Sequence, residues 1–278
     1  MPTLRANGID IYYELHGAGE PLLLIMGLGA NATAWWRQVP EFSRHYQVIA
    51  FDNRGAGRSE KPNEAYTIMQ MADDADALME ELGIQSAHVF GMSLGGMVAQ
   101  EMALRHPERV RTLVLGGTMC GGPKATPPPP STIQHFITVA RMPIQQAIEN
   151  GMRLLYSDVF VESNRDWLVK RALEHAHLMP PPYALQRQVM AVLSFNTHDR
   201  LHEVHVPSLV ITGTDDKIVP SQNGRVLAER IPGARLIEFE GAGHGFLVER
   251  GEETNRAVLE FLEPHRTHFV ANPRNAQA

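Results

Sequence analysis

Ser93 lies between Gly91 and Gly95 in the order G-x-S-x-G, a spacing typical of a serine nucleophile presented at a sharp turn. An apolar run at 87–90 precedes this motif, and a helical pattern at 96–105 follows it. A strand-to-helix turn of this kind strains the serine backbone and needs small residues two positions away on each side. A chance G-x-S-x-G is the alternative, because the pentapeptide alone is common. Its position between a strand and a helix favours the catalytic interpretation.

A serine hydroxyl is a weak nucleophile at neutral pH, so it needs a general base within hydrogen-bonding reach. The best candidate among the 13 histidines is His244, which three glycines surround in a loop after the predicted strand 234–239. Glycines allow such a loop to direct the imidazole across the ends of the strands. Five others resemble a metal cluster at first sight, namely His175, His177, His198, His202 and His205. No cysteine, aspartate or glutamate completes a recognised ligand spacing with them, so we expect no metal site.

The acid that orients this histidine is expected between the serine and the histidine along the chain. The predicted strand 209–212 runs into a glycine turn that carries two carboxylates, Asp215 and Asp216. One of them would fix the histidine tautomer, and the other would cap or solvate the turn. The residue types alone leave both aspartates open.

Backbone N–H groups that bind a developing oxyanion would complete the chemistry, and loss of one such donor typically costs about 10²- to 10³-fold in rate. Leu94 directly follows the nucleophile and can offer its N–H. The second donor is expected in a loop after an early strand, and the strand 22–25 ends in the glycine-containing run 26–29. We assign Leu28 as that donor. The alternative is a glycine-rich strand exit with no role in chemistry.

Taken together, these motifs resemble the α/β-hydrolase superfamily over nearly the whole chain. Residues 52–59, Asp-Asn-Arg-Gly-Ala-Gly-Arg-Ser, are similar to its D-x-R-G-x-G-x-S turn, and residues 243–249 are similar to its histidine loop. The family's acid occupies the fourth position of a G-x-x-D-x-[IV]-[VT]-P run, which implies Asp216. Many members carry His-Gly in the oxyanion loop, where this chain has Met26. Its Met-Gly-Leu-Gly variant resembles a branch of small bacterial carboxylesterase-like and methylesterase-like hydrolases. Epoxide hydrolases and haloalkane dehalogenases of this fold use an aspartate nucleophile, so Ser93 argues against both.

The elements that must position these residues alternate between apolar strands and helical stretches, which predicts an α/β fold with a doubly wound, mostly parallel sheet. A hairpin at Asn7-Gly8 opens the chain, and a helix over 68–82 is predicted to end at Gly83. The predicted core strands are 22–25, 47–51, 87–90, 112–115, 209–212 and 236–239.

Between 118 and 200 the alternation breaks at two proline runs. This break resembles the helical cap of the family, inserted between the core segments 1–117 and 201–278. Large apolar side chains in the insertion either form its own core, which we favour for most of them, or face Ser93 and accept an apolar part of the substrate. These side chains are Phe136, Met142, Met152, Tyr156, Phe160, Trp167, Tyr183, Met190 and Phe195.

Composition limits the partners of the chain. The 278 residues carry a net charge of -6 and no basic run, so we expect no nucleic-acid partner. Cys120 is the only cysteine, which rules out an intrachain disulfide, and we expect it to be a buried apolar group. No basic leader with an apolar stretch begins the chain, and no segment approaches about 18 consecutive apolar residues, so we expect a soluble cytoplasmic protein without a membrane partner. The oligomeric state stays open, with a homo-oligomer among the alternatives.

The function expected from these features is serine hydrolysis of a small, partly apolar carboxylic ester through an acyl-enzyme, with no cofactor. Ser93, Asp216 and His244 would form the catalytic triad, with Leu28 and Leu94 as the oxyanion donors. Lactone, thioester and carbon–carbon bond hydrolysis on the same triad are alternatives. A ligand-binding or receptor protein that keeps the fold without turnover is an alternative of another class.

Overall fold

The computed structural model describes residues 2–138 and 142–266. Its centre is one sheet made of β1 (Thr3–Ala6), β2 (Ile9–His16), β3 (Pro21–Ile25), β4 (Gln47–Phe51), β5 (Ala87–Met92), β6 (Val110–Gly116), β7 (Ser208–Gly213) and β8 (Arg235–Phe239). The spatial order is β1-β2-β4-β3-β5-β6-β7-β8. The β1–β2 and β2–β4 pairs are antiparallel, and the remaining neighbours are parallel. The predicted mostly parallel sheet is thus confirmed.

Helices cover both faces of this sheet. Those of the described residues are α1 (Val39–Phe42), α2 (Ile68–Glu81), α3 (Leu94–Arg105), α4 (Pro130–Thr138), α5 (Ile144–Leu155), α6 (Asp158–Glu174), α7 (Pro182–Leu193), α8 (Gln222–Arg230), α9 (Phe246–Glu249) and α10 (Gly251–Leu262). Every residue of β5 and of β7 is buried, as expected for parallel strands covered on both faces. Across residues 2–138 and 142–266, no helix combines the length and the apolar character needed to cross a membrane.

The core consists of two apolar layers, one on each face of the sheet, because successive side chains of a strand point to opposite faces. Leu23 and Ile25 of β3 join the layer that packs against α2 and α3. Leu22 and Leu24 join the layer that includes residues of α10. This two-sided packing is the doubly wound arrangement that the alternating pattern predicts.

The turn and cap predicted near the ends of elements are also present. Asn7 and Gly8 both have positive φ, 44° and 81°, between the antiparallel strands β1 and β2. These angles are those that a two-residue hairpin of this type requires. Gly83, with φ of 69°, follows α2 and ends that helix as predicted.

Helices α4 to α7 lie between β6 and β7, where the sequence predicts the insertion. Of the nine large apolar side chains that the sequence analysis names in the insertion, four form a small separate cluster. They are Met152, Tyr156, Phe160 and Trp167, which pack with Val161 and Leu168. Phe195 instead joins the main core, and Tyr183 and Met190 are exposed. The boundaries at 118 and 200 stay a prediction. The side chain of Phe136 and the tail 267–278 lie outside the described part of the chain.

Candidate active site

Ser93 occupies the sharp turn between β5 and α3 and has φ of 57° and ψ of -122°. A non-glycine residue in this region is strained by about 1–3 kcal/mol, so the surrounding packing must hold it there. The two flanking glycines permit the turn: a Cβ at Gly91 would overlap the Gly95 carbonyl, and a Cβ at Gly95 would overlap the Ile25 carbonyl. The Ser93 N–H donates to the Gly116 carbonyl oxygen at 2.8 Å. The strained backbone of Ser93 is therefore anchored to the neighbouring strand.

His244 and Asp216 form a buried hydrogen-bonded pair. Asp216 Oδ2 lies 2.7 Å from His244 Nδ1, and the two residues are 6% and 5% exposed. The other carboxylate oxygen, Oδ1, accepts the backbone N–H groups of Ile218 and Val219 at 2.8 Å and 2.7 Å. A carboxylate on Nδ1 favours the tautomer whose Nε2 carries no proton and can act as a base. Asp215, by contrast, is exposed.

The exit of β6 lies between this pair and the serine. A Cβ on Gly117 would lie 3.3 Å from His244 Nδ1 and 2.9 Å from Cε of Met92, the residue before the serine. Its predecessor, Gly116, accepts the Ser93 N–H. The structure thus places Ser93, Asp216 and His244 after β5, β7 and β8, at the carboxyl edge of the sheet. Ligands bind at this edge in open parallel sheets.

The loop after β3 approaches the other side of the serine. A Cβ at Gly27 would lie 2.9 Å from Ser93 Cβ and 3.4 Å from Ser93 Oγ. Leu28 follows in this loop, and Leu94 follows the serine at the first position of α3. Within residues 2–138 and 142–266, neither of these two leucines donates its backbone N–H to a protein acceptor. Leu94 is thus bonded to the serine, and Leu28 follows the glycine that lies beside it. Their role as oxyanion donors stays a prediction.

The Asp-Asn-Arg turn after β4 binds the loop that follows β3. Asn53 Nδ2 donates to the Met26 carbonyl oxygen at 2.8 Å. Asp52 Oδ1 accepts the Ala32 N–H at 2.7 Å, while Oδ2 accepts Arg58 N–H groups at 2.7 and 2.8 Å. In the sequence this turn is recognisable only by its resemblance to the family's D-x-R-G-x-G-x-S turn. The structure shows that it binds both ends of the loop that carries Leu28.

The histidine loop is held by a contact between α9 and the insertion. One carboxylate, that of Glu249, accepts the Gly243 N–H at 3.0 Å and also binds the N–H and hydroxyl of Ser157 at the start of α6. The Tyr156 ring packs where a Gly245 side chain would lie, and burial raises the pKa of Tyr156 to about 12. Beside this contact is an open cavity of about 630 Å³ whose lining includes Ser157 and Glu249 but neither Ser93 nor His244.

A family model described as the alpha/beta hydrolase fold matches residues 20–251. The chain belongs to the α/β-hydrolase family. A protein named putative carbamate hydrolase RutD from Azorhizobium caulinodans is 31% identical over 267 residues, which cover 94% of this chain and 98% of that protein. A poly(3-hydroxyalkanoate) depolymerase from Ectopseudomonas oleovorans is 31% identical over 258 residues, covering 92% and 89%. The crystal structure of an enol-lactonase from Burkholderia xenovorans has a TM-score of 0.82 and 28% identity, covering 94% and 100%. These relatives support hydrolase activity for this chain.

Three of the five histidines that resemble a metal cluster in the sequence have other partners in this α/β-hydrolase. His175 Nδ1 and His177 Nδ1 lie within hydrogen-bonding distance of backbone carbonyls in α6, and His198 Nδ1 lies 2.7 Å from Asp199 Oδ1. His202 and His205 are exposed. Among the described residues, no group of three histidine, cysteine or carboxylate side chains could hold a metal ion.

Two polar side chains of this hydrolase contact the site loops and carry no role in the sequence analysis. Glu249 falls inside the family-like run 243–249, so the motif could have indicated it. Gln188 in α7 has no such signal, yet it is fully buried and binds the loop that follows β3. Its partner, Gly29, is 159 residues away along the chain.

Proposed function

We propose that this hydrolase cleaves a carboxylic ester of a small, partly apolar substrate through a covalent acyl-enzyme. His244 Nε2 takes the hydroxyl proton as Ser93 Oγ attacks the carbonyl carbon, and the Asp216 carboxylate stabilises the imidazolium that forms. The imidazolium then donates its proton to the departing alkoxide, which leaves as an alcohol. His244 next removes a proton from water, and the resulting attack on the acyl carbon releases the acid and regenerates Ser93.

The oxyanion of each tetrahedral intermediate would bind the N–H groups of Leu28 and Leu94. Preorganised donors of this kind are usually the largest electrostatic contribution to acyl transfer. Gly27 contacts the serine side chain, which supports the assignment of the next residue as a donor. These steps require neither a metal ion nor an organic cofactor, and the partner is a small molecule.

The observation that carries this proposal is the buried hydrogen bond between His244 Nδ1 and Asp216 Oδ2 at the same sheet edge as the strained Ser93. An aspartate on Nδ1 leaves Nε2 as the basic nitrogen. A structural histidine in a core has no need of a strained serine beside it. Ser–His–Asp chemistry explains the strain and the pair together.

We also propose that the insertion 118–200 acts as a cap that selects the substrate. Leu185 Cδ1 and Pro180 Cγ would lie 3.0 Å and 3.6 Å from a Cβ on Gly29, and Tyr156 covers Gly245 in the histidine loop. Apolar groups of the insertion thus reach both loops of the site. This supports an apolar acyl or alkoxy portion in the substrate.

Lactone hydrolysis is the second candidate, because the similar structure of an enol-lactonase covers 94% of this chain. A lactone and a carbamate, the group in the name of one relative, present the same kind of carbonyl to the serine. Thioester and carbon–carbon bond hydrolysis would also use this triad. A matched panel of cyclic and linear esters separates lactone hydrolysis from the hydrolysis of linear esters. A preference for the cyclic member of each pair would favour lactone hydrolysis.

The deciding experiment is steady-state hydrolysis of p-nitrophenyl esters from acetate to long acyl chains, with the wild type and Ser93→Ala in parallel. We expect turnover in the wild type, and its loss in a folded Ser93→Ala variant. Activity retained by folded Ser93→Ala would contradict the proposal. Stoichiometric ligand binding without product release would instead favour a binding or receptor protein on this fold. A cytoplasmic location is part of the proposal, supported by the single, buried Cys120.

A further inference from the structure

Gln188 connects the insertion to the two core segments that shape the oxyanion loop. It lies on α7 with no exposed surface. Its Oε1 accepts the Gly29 N–H at 2.8 Å, and its Nε2 donates to the Arg54 carbonyl oxygen at 2.8 Å. One partner is a donor and the other an acceptor, so only one orientation of the amide satisfies both. A reversed amide would face the Gly29 N–H with its own N–H groups.

The anchored amide is next to the proposed oxyanion donor. The Gly29 N–H shares a peptide plane with the Leu28 carbonyl, so binding it restricts the backbone torsion of Leu28. On the other side, Asn53 fixes the Met26 carbonyl. The peptide that carries the Leu28 N–H therefore lies between two anchored peptides. The carbonyl of that same peptide, Gly27, accepts the Ala30 N–H at 3.2 Å. Of these three anchors, two belong to the core and one belongs to the insertion.

We propose that Gln188 is a positioning residue that holds the Leu28 N–H in the geometry that binds the oxyanion. This inference rests on the proposed serine mechanism. Misplacement of a catalytic group by about 1 Å can cost about 10²-fold in rate, and loss of a whole oxyanion donor costs about 10²- to 10³-fold. Loss of the anchor that the insertion provides should therefore lower kcat by about 10- to 100-fold. KM should change less than about threefold, because the oxyanion forms only after the substrate has bound.

The test compares Gln188→Met, which keeps the length but removes both hydrogen bonds, with the wild type. Besides kcat and KM for a p-nitrophenyl ester, the inhibition constant of an alkyl boronic acid is measured, since its tetrahedral adduct on Ser93 mimics the intermediate. We expect this constant to rise by the same factor as kcat falls. We also expect faster hydrogen–deuterium exchange of the Gly29 amide, which requires no catalysis.

A conservative variant, Gln188→Glu, offers a rescue. A protonated carboxyl can accept the Gly29 N–H and donate to the Arg54 carbonyl, as the amide does, whereas the ionised form cannot donate. Its kcat relative to the wild type should therefore rise as the pH is lowered. A ratio that stays far below one at every pH would contradict the pairing of donor and acceptor on which the proposal rests.

Two controls separate positioning from general loss of stability. Thr197→Val removes a buried hydroxyl that donates to Gln100 Oε1 at 2.7 Å, and Tyr183→Phe removes a bond from α7 to the Lys61 carbonyl oxygen at 3.1 Å. Both should keep kcat within about twofold of the wild type. The role of Gln188 is overturned if Gln188→Met keeps kcat and boronic acid inhibition within about threefold, or if Thr197→Val loses as much. Wild-type turnover that survives Ser93→Ala, or no turnover at all, would instead overturn the serine mechanism itself.

Discussion

Replacing Asp216 by asparagine should nearly abolish activity without unfolding the protein. The carboxylate has one oxygen on His244 Nδ1, and the other on two backbone N–H groups. An asparagine must keep its carbonyl oxygen on those two donors. The reversed amide would leave two buried N–H groups without acceptors, at about 1–3 kcal/mol each, which disfavours it by about 30-fold or more. The NH₂ group therefore faces His244.

The asparagine NH₂ group is a donor, so His244 Nδ1 must be the acceptor and carry no proton. The imidazole proton then lies on Nε2, which can no longer accept the hydroxyl proton of Ser93. A wrong tautomer of this kind costs about 10⁴-fold in kcat, or about 5 kcal/mol in the activation free energy. The assay is steady-state p-nitrophenyl ester hydrolysis at raised enzyme concentration, with thermal unfolding as the check on folding. The exposed neighbour supplies the matched control, Asp215→Asn, which should stay within about twofold of the wild type. An Asp216→Asn enzyme within tenfold of the wild type, or an equal loss in Asp215→Asn, would refute this reasoning.

Three further outcomes follow from close contacts and buried charges. Gly27→Ala places a Cβ 2.9 Å from the serine side chain and should lower kcat about tenfold. Gly151→Ala is the control, because open space surrounds that position, and it should leave kcat unchanged. Equal kcat values in the two variants would contradict this prediction. Arg54→Met leaves the buried Asp74 carboxylate without its ion pair and should lower the free energy of unfolding in urea by about 3–5 kcal/mol; a loss below 1 kcal/mol would contradict it. Burial lowers the pKa of His88 to about 4 in the folded protein. As the pH falls from 6.5 towards 4, the unfolded chain binds a proton that the folded protein does not yet bind. The free energy of unfolding should therefore fall by up to about 3 kcal/mol. Urea unfolding at pH 7 and pH 5 tests this, because His88→Gln should lose less stability than the wild type.

Local patterns predicted most of the core. The predicted strand 47–51 coincides with β4, and the predicted strand 209–212 lies inside β7, because buried parallel strands are continuous apolar runs bounded by turn residues. The glycine-flanked Ser93 was identifiable because part of its steric cause is local: a Cβ at Gly91 would overlap the Gly95 carbonyl four residues away. The close approaches of Gly95 to the Ile25 carbonyl and of Gly245 to the Tyr156 ring join distant segments, and the sequence shows only their glycines.

The choice between Asp215 and Asp216 shows where residue types stop being informative. Both are carboxylates in one turn, and only the family resemblance favoured the second. The structural reason is the turn itself, in which the Asp216 carboxylate caps the next two N–H groups and thereby points inward. Gln188 was beyond prediction for a different reason. A glutamine in a helix is usually exposed, and nothing near it in the sequence indicates a partner 159 residues away.

The contacts of Ser157 with Glu249 and of Gln188 with Gly29 also bear on how new substrates could be accommodated. Exchange of the insertion between relatives is an obvious way to alter substrate preference, since it leaves the triad in place. In this chain such an exchange would also replace the side chains that hold the histidine loop and the oxyanion loop. Chimeras that retain Ser157 and Gln188 should therefore acquire the new substrate preference and keep a useful kcat. Chimeras without these two residues should acquire the preference but have a lower kcat.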